Sequence, residues 1–88
     1  MSEGLFDFLV LSLRAQAEVH LGLLPAAEGA EPQANLELAR HAIDTLAVLL
    51  DKTRGNLTLE EQRLVENSLT ELRFRYVQAA GKAATAQS

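Results

Sequence analysis

Residues 5–24 read LFDFLVLSLRAQAEVHLGLL, and the fold turns on how this stretch is wound. As a helix turning about 100° per residue, it gathers its charged residues Asp7, Arg14 and Glu18 into one stripe roughly 40° wide. Leu5, Phe6, Phe8, Leu9, Val10, Leu11, Leu13, Ala15, Ala17, Val19 and Leu21 cover most of the remaining circumference. A helix apolar on so many sides needs neighbours on more than one of them. A chain of 88 residues has few neighbours to offer. A second copy is therefore expected to supply the rest, with Phe6, Leu9, Leu13 and, further along, Phe74 as oligomer contacts.

Ser12, Gln16 and His20 recur at i, i+4 and i+8 and drift by only about 40° per step. They make an uncharged polar ladder opposite the charged stripe. Buried polar groups must be paired, so three in register suggest the edge of a wet groove, a hydrogen-bond network across a subunit interface, or the lining of a small site. Leu11 to Leu21 also alternates apolar and polar, the period of a half-buried strand. Its Leu, Ala, Arg, Gln and Glu favour helix, and it has few β-branched residues.

Composition narrows the rest. The chain makes one domain, small for a self-sufficient core. It has no cysteine, so neither disulfides nor thiolate metal sites can staple it. His20 and His41 alone cannot hold a metal, and no cofactor motif is present. A net charge of −4 without a basic stripe argues against nucleic acid. The start, MSEGLFDF, lacks a basic lead into its apolar run, and the uncharged run Phe8 to Leu13 is far too short to cross a membrane. The expected location is the cytoplasm, and self-association is the remaining means of stabilisation.

Working outward, Ser2 is placed to cap the first helix, and Gly22 with Pro25 to end it. Gly22 to Gln33 is a connection long enough to fold the next helix back or to exchange it with another copy. Asn35 is placed to cap the second helix, along which Leu36, Ala39, Ile43, Leu46 and Leu50 step by three and four. In KTRGNLTLEE (52–61), Gly55 suits a left-handed stop, and Thr58 with Glu61 forms a capping box. Stop and start lie so close that helices 2 and 3 should make a tight antiparallel hairpin. Val65, Leu69, Leu72 and Tyr76 continue the seam, Glu71 and Arg75 are spaced to pair, and Gly81 should end helix 3. The expectation is an all-α three-helix protein, with helices at about 3–22, 34–53 and 58–80. Residues 1–80 form one domain, 81–88 a frayed tail, and copies assemble as a helical-bundle oligomer.

LVLSLRAQAEVHLG, a following proline, NLELARHAID, KTRGNLTLEE and LRFRYV together resemble the bacterial family called domain of unknown function 1844. The likeness runs over roughly residues 5–78. Its most specific parts are Leu21-Gly22, Ile43-Asp44, Lys52-Thr53-Arg54-Gly55-Asn56-Leu57 and Leu72-Arg73. The resemblance implies a stand-alone cytoplasmic helical protein with no assigned activity, and it supplies no catalytic residue.

The functional expectation is a homo-oligomeric interaction or scaffold module: a homodimer first and a tetramer second, with an unknown protein partner. No nucleic acid or membrane is expected, nor any catalytic, cofactor-binding or metal residue. One alternative is a small-ligand binder or enzyme using Gln16 and His20 of the ladder with Arg73 or Tyr76, though a lone histidine lacks the supporting groups catalysis needs. The other is a weak nucleic-acid regulator. There, helix 3 offers only scattered cations among its own acids.

Overall fold

The computed structural model describes residues 4–87, with side chains through Thr85. It contains three helices: α1 (Leu5–His20), α2 (Leu36–Lys52) and α3 (Leu59–Gln87). Among the described residues there is no strand, only an isolated antiparallel bridge between Leu21 and Ala34. The alternation of Leu11 to Leu21 is therefore wound as helix as far as His20, as residue propensity favours. No helix among the described residues is long and apolar enough to cross a membrane.

The helix ends follow local chemistry. The expected cap at Ser2 lies outside the described residues; Gly4 stands at the N-cap position of α1 and offers no side-chain bond. The C-terminus of α1 closes as a Schellman motif. The Gly22 N–H donates to the Val19 carbonyl at 3.0 Å and the Leu23 N–H to the Glu18 carbonyl at 2.9 Å, with Gly22 left-handed at φ 81°. The Asn35 side chain accepts from the Leu38 N–H at 3.1 Å and caps α2. Thr58 and Glu61 complete their box reciprocally, the Thr58 N–H donating to Glu61 Oε1 at 2.8 Å and the Glu61 N–H to Thr58 Oγ1 at 3.1 Å. Between α2 and α3 the Asn56 N–H donates to the Thr53 carbonyl at 2.9 Å, and Gly55, at φ 82°, sits inside that turn.

One boundary differs from expectation. Gly81 does not end α3, which continues to Gln87. The segment after Tyr76 is rich in alanine, the best helix former, and a single glycine inside a helix costs only about 1 kcal/mol against alanine. The Thr85 hydroxyl also donates to the Gly81 carbonyl at 2.9 Å. At about 1.5 Å per residue α3 is about 43 Å long, nearly the 48 Å long dimension of the molecule.

The long connection between α1 and α2 leaves and returns at one point. The Asn35 N–H donates to the His20 carbonyl at 2.7 Å, and Leu21 pairs with Ala34. This clip holds α1 on the α2 of its own chain. Gly22 sits at the crossing, where an added Cβ would lie 3.3 Å from the Ala34 Cβ and 3.3 Å from its backbone nitrogen. Gly22→Ala therefore meets a left-handed backbone and a tight contact together. It is expected to lower stability by more than about 1 kcal/mol, read from the urea midpoint of the circular-dichroism transition. An unchanged midpoint would mean the clip is not held in solution.

All three helices contribute to one core of Val10, Ala17, Leu21, Ala39, Ala42, Ile43, Leu46, Val65, Leu69 and Leu72. The periodic seams of α2 and α3 supply most of it. From α1 the seam is Val10, Ala17 and Leu21, flanked by the half-buried Phe6 and Leu13.

Candidate interaction face on the first helix

Within the charged stripe of α1, Arg14 and Glu18 are half-buried and Asp7 is exposed. Arg14 crosses to α3, where its Nη2 pairs with Glu71 Oε1 and its Nη1 donates to the Ser68 hydroxyl at 3.3 Å. Its Nε lies 3.5 Å from Glu18 Oε2, one turn along its own helix. Ser68 is fully buried between core positions Val65, Leu69 and Leu72. A small hydroxyl leaves room there for the guanidinium and gives it an acceptor, so the buried polar group is satisfied. Among the described residues no buried side-chain polar atom lacks a partner. The expected Glu71–Arg75 pair is not formed: Glu71 pairs with Arg14, and Arg75 lines a groove with Leu21 and Gly22.

With Val10, Ala17, Phe6 and Leu13 packed inward, a second apolar side of α1 is left outward. Leu5, Phe8, Leu9 and Leu11 are 66%, 71%, 44% and 50% exposed. Ala15 is exposed as well, and Val19 half-buried. Leu5, Phe8, Ser12, Ala15 and Val19 step by three and four along one side, the spacing of a helix-pairing seam. Acids border this side: Asp7 is exposed one turn before Leu11, and Glu61 lines a concavity with Leu5 and Leu9.

The polar ladder runs down the same side. Ser12 is half-buried, and its hydroxyl donates to the Phe8 carbonyl at 2.8 Å within the helix. Gln16 is exposed, and His20 is half-buried. The three lie in register as their spacing required, but they make no hydrogen bond to one another. Of the four anticipated contact residues, Leu9 and Phe74 are exposed, whereas Phe6 and Leu13 pack against the chain's own core. Phe74 shares an exposed side of α3 with Val77, on a different helix from Leu9.

Arg73 and Tyr76 fall elsewhere. They line a groove of about 180 Å³ between α2 and α3 with Arg40, Ile43, Asp44 and Val77, a lining that includes neither Gln16 nor His20. Arg40 Nε lies 3.9 Å from Asp44 Oδ2.

The Arg14–Ser68–Glu71 junction escapes a reading of the sequence because its partners are far apart along the chain. The available signal was Arg14 and Glu18 at i, i+4 on an otherwise apolar helix, together with a serine at a core register of α3.

Comparison with family models matches residues 3–78 to one described as "Domain of unknown function (DUF1844)". No curated protein and no solved structure matches the chain.

Proposed function

The chain belongs to the DUF1844 family, whose description carries no activity, and we propose from its geometry that it is a self-associating interaction module, a homodimer joined through the outward side of α1. In this reading α2 and α3 form an antiparallel hairpin that holds α1 with one side free for a partner. The observation that carries it is the exposed apolar outer side of α1, bordered by Asp7 and Glu61, on a protein whose net charge is −4. Leu11 lies about 160° around the helix from Leu9. The exposed parts of Leu5, Phe8 and Leu9 amount to roughly 350 Å² of apolar surface, in the range where the largest patch on a monomer tends to be functional. That is a little under half of what one partner contributes to a standard interface of about 800 Å² per side. Ser12, Ala15, Gln16 and Val19, lying between and beyond these residues, enlarge the patch.

A second copy suits this surface better than an unrelated charged partner. Leu5, Phe8, Ser12 and Ala15 offer no countercharge, and two negatively charged chains repel least where uncharged residues meet. A two-fold contact places the same patch on both sides, as the commonest soluble oligomers do. Light scattering coupled to gel filtration, across micromolar concentrations, tests the reading. A mass of twice 9.6 kDa is expected. A mass of 9.6 kDa at every concentration would overturn it.

A further inference from the structure

We infer that the two copies meet with their α1 helices antiparallel, about a two-fold axis passing near Ser12, so that Phe8 of each copy lies over the Ala15 region of the other. This orientation rests on the self-association proposed above and adds to it the direction and register of the contact.

Shape supplies the first argument. The outward seam is tapered along its length: Leu5 and Phe8 are bulky and prominent at the N-terminal end, and Ser12 and Ala15 are small in the middle. A parallel pairing would set Phe8 against Phe8 and Leu5 against Leu5, then leave a gap where Ala15 faces Ala15; Ser12 meets Ser12 in either direction. Close-packed interfaces do not leave such gaps, because each lost contact forfeits dispersion energy. Reversing one helix sets large against small: Phe8 over Ala15, Leu5 opposite Val19, and Ser12 beside its own copy at the axis. The ladder then lies along the contact, with Gln16 reaching toward the other copy's Phe8 turn.

Charge supplies the second. Asp7, Glu60 and Glu61 gather with Gly4 and Thr58 around one concavity at the N-terminal end of α1. A parallel pairing brings the two acidic ends together, whereas an antiparallel pairing holds them at opposite ends of the contact. The other end of α1 carries Arg75 and Lys82, which line a groove with Leu21, Gly22 and Leu23, as well as the acids Glu28 and Glu31 of the neighbouring loop. The turn holding Thr53 and Asn56 lies beside Leu5 and brings Lys52 and Arg54 to the N-terminal end of α1 as well, but only the antiparallel arrangement keeps the two clusters of Asp7, Glu60 and Glu61 apart. Helix dipoles also favour the antiparallel sense.

Because the chain has no cysteine, single-cysteine variants of the full chain report direction without background. A disulfide requires Cα atoms within about 7 Å. In the antiparallel register the two Ser12 positions meet, while the two Leu5 positions are about 20 Å apart along the axis. Under mild oxidation, Ser12→Cys should form a covalent dimer, Leu5→Cys alone should not, and an equal mixture of Leu5→Cys with Val19→Cys should give the mixed dimer. Spin labels on Leu5→Cys give a second readout that needs no bond. Labels farther apart than about 20 Å agree with the antiparallel register, whose two Leu5 positions lie that far apart; labels within about 12 Å indicate the parallel one. Rapid self-cross-linking of Leu5→Cys in a protein of dimeric mass would overturn the orientation and leave self-association standing. A dimer that cross-links at none of these positions would overturn the assignment to α1, and a monomeric mass would remove both.

Discussion

Leu46→Ala is expected to lower the unfolding free energy by about 2–5 kcal/mol, the cost of a cavity in a core that closes only in part. Leu46 is fully buried at the middle of α2 and belongs to the one core that all three helices share. Small domains are stable by only about 5–15 kcal/mol in total, so the change removes a large share of what holds the chain together. Urea unfolding followed by circular dichroism, at one fixed protein concentration, measures it. The concentration must be fixed because self-association makes apparent stability depend on it. A loss below about 1 kcal/mol would contradict the placement of Leu46 at a closed centre, since such losses are typical of surface positions.

Phe8→Glu should have the opposite profile. Phe8 is 71% exposed in the single chain, so unfolding of the dilute protein should change by no more than about 0.5 kcal/mol. Association should weaken at least a hundredfold, which corresponds to about 2.8 kcal/mol. The effect is large because a two-fold contact carries the substitution twice and because each new carboxylate would be buried against an apolar patch with no countercharge. Phe74→Glu is the matched control. Phe74 is also exposed, at 60%, but lies on α3, and its substitution should leave the dimer intact. Sedimentation equilibrium on the three proteins gives both affinities. Loss of the dimer with Phe74→Glu but not with Phe8→Glu would move the interface to α3.

These two substitutions mark what the sequence could and could not reveal. The seam of α2 was legible because most of its apolar residues keep to one side: Ala39, Ile43 and Leu46 are buried at the spacing they show in the sequence, and only Leu38 and Val48 stand out as exposed. The stop and start around Gly55 and the Thr58–Glu61 box were legible because capping depends on residues within one turn. For α1 the same reasoning established that a helix forms but not which side faces inward. When nearly every side is apolar, periodicity carries little directional information. The direction is set by Arg14 reaching Ser68 and Glu71 on a helix more than fifty positions away, which no local pattern encodes. The consequence is a helix that buries one apolar side, Phe6, Val10, Leu13 and Ala17, ties Arg14 to α3 at the edge of that side, and leaves a second apolar side outward. Phe6 and Leu13 accordingly pack against the core, while Leu5, Phe8 and Leu11 join Leu9 on the outside. The end of α3 was missed for a simpler reason: a glycine signals a stop only when the flanking residues do not favour continuing, and here they are the helix formers Ala79, Ala80, Lys82, Ala83 and Ala84.

The central claim is that the outward side of α1 is covered by the same side of another copy. An isotope-filtered NOE spectrum of a mixed dimer, one copy labelled and the other not, observes that contact directly. The account predicts intermolecular cross-peaks from the Phe8 ring to the Ser12 and Ala15 protons of the other copy, with further peaks confined to Leu5, Leu9, Leu11, Gln16 and Val19. Intermolecular peaks centred on Phe74 and Val77, or none from α1 in a sample of dimeric mass, would contradict it.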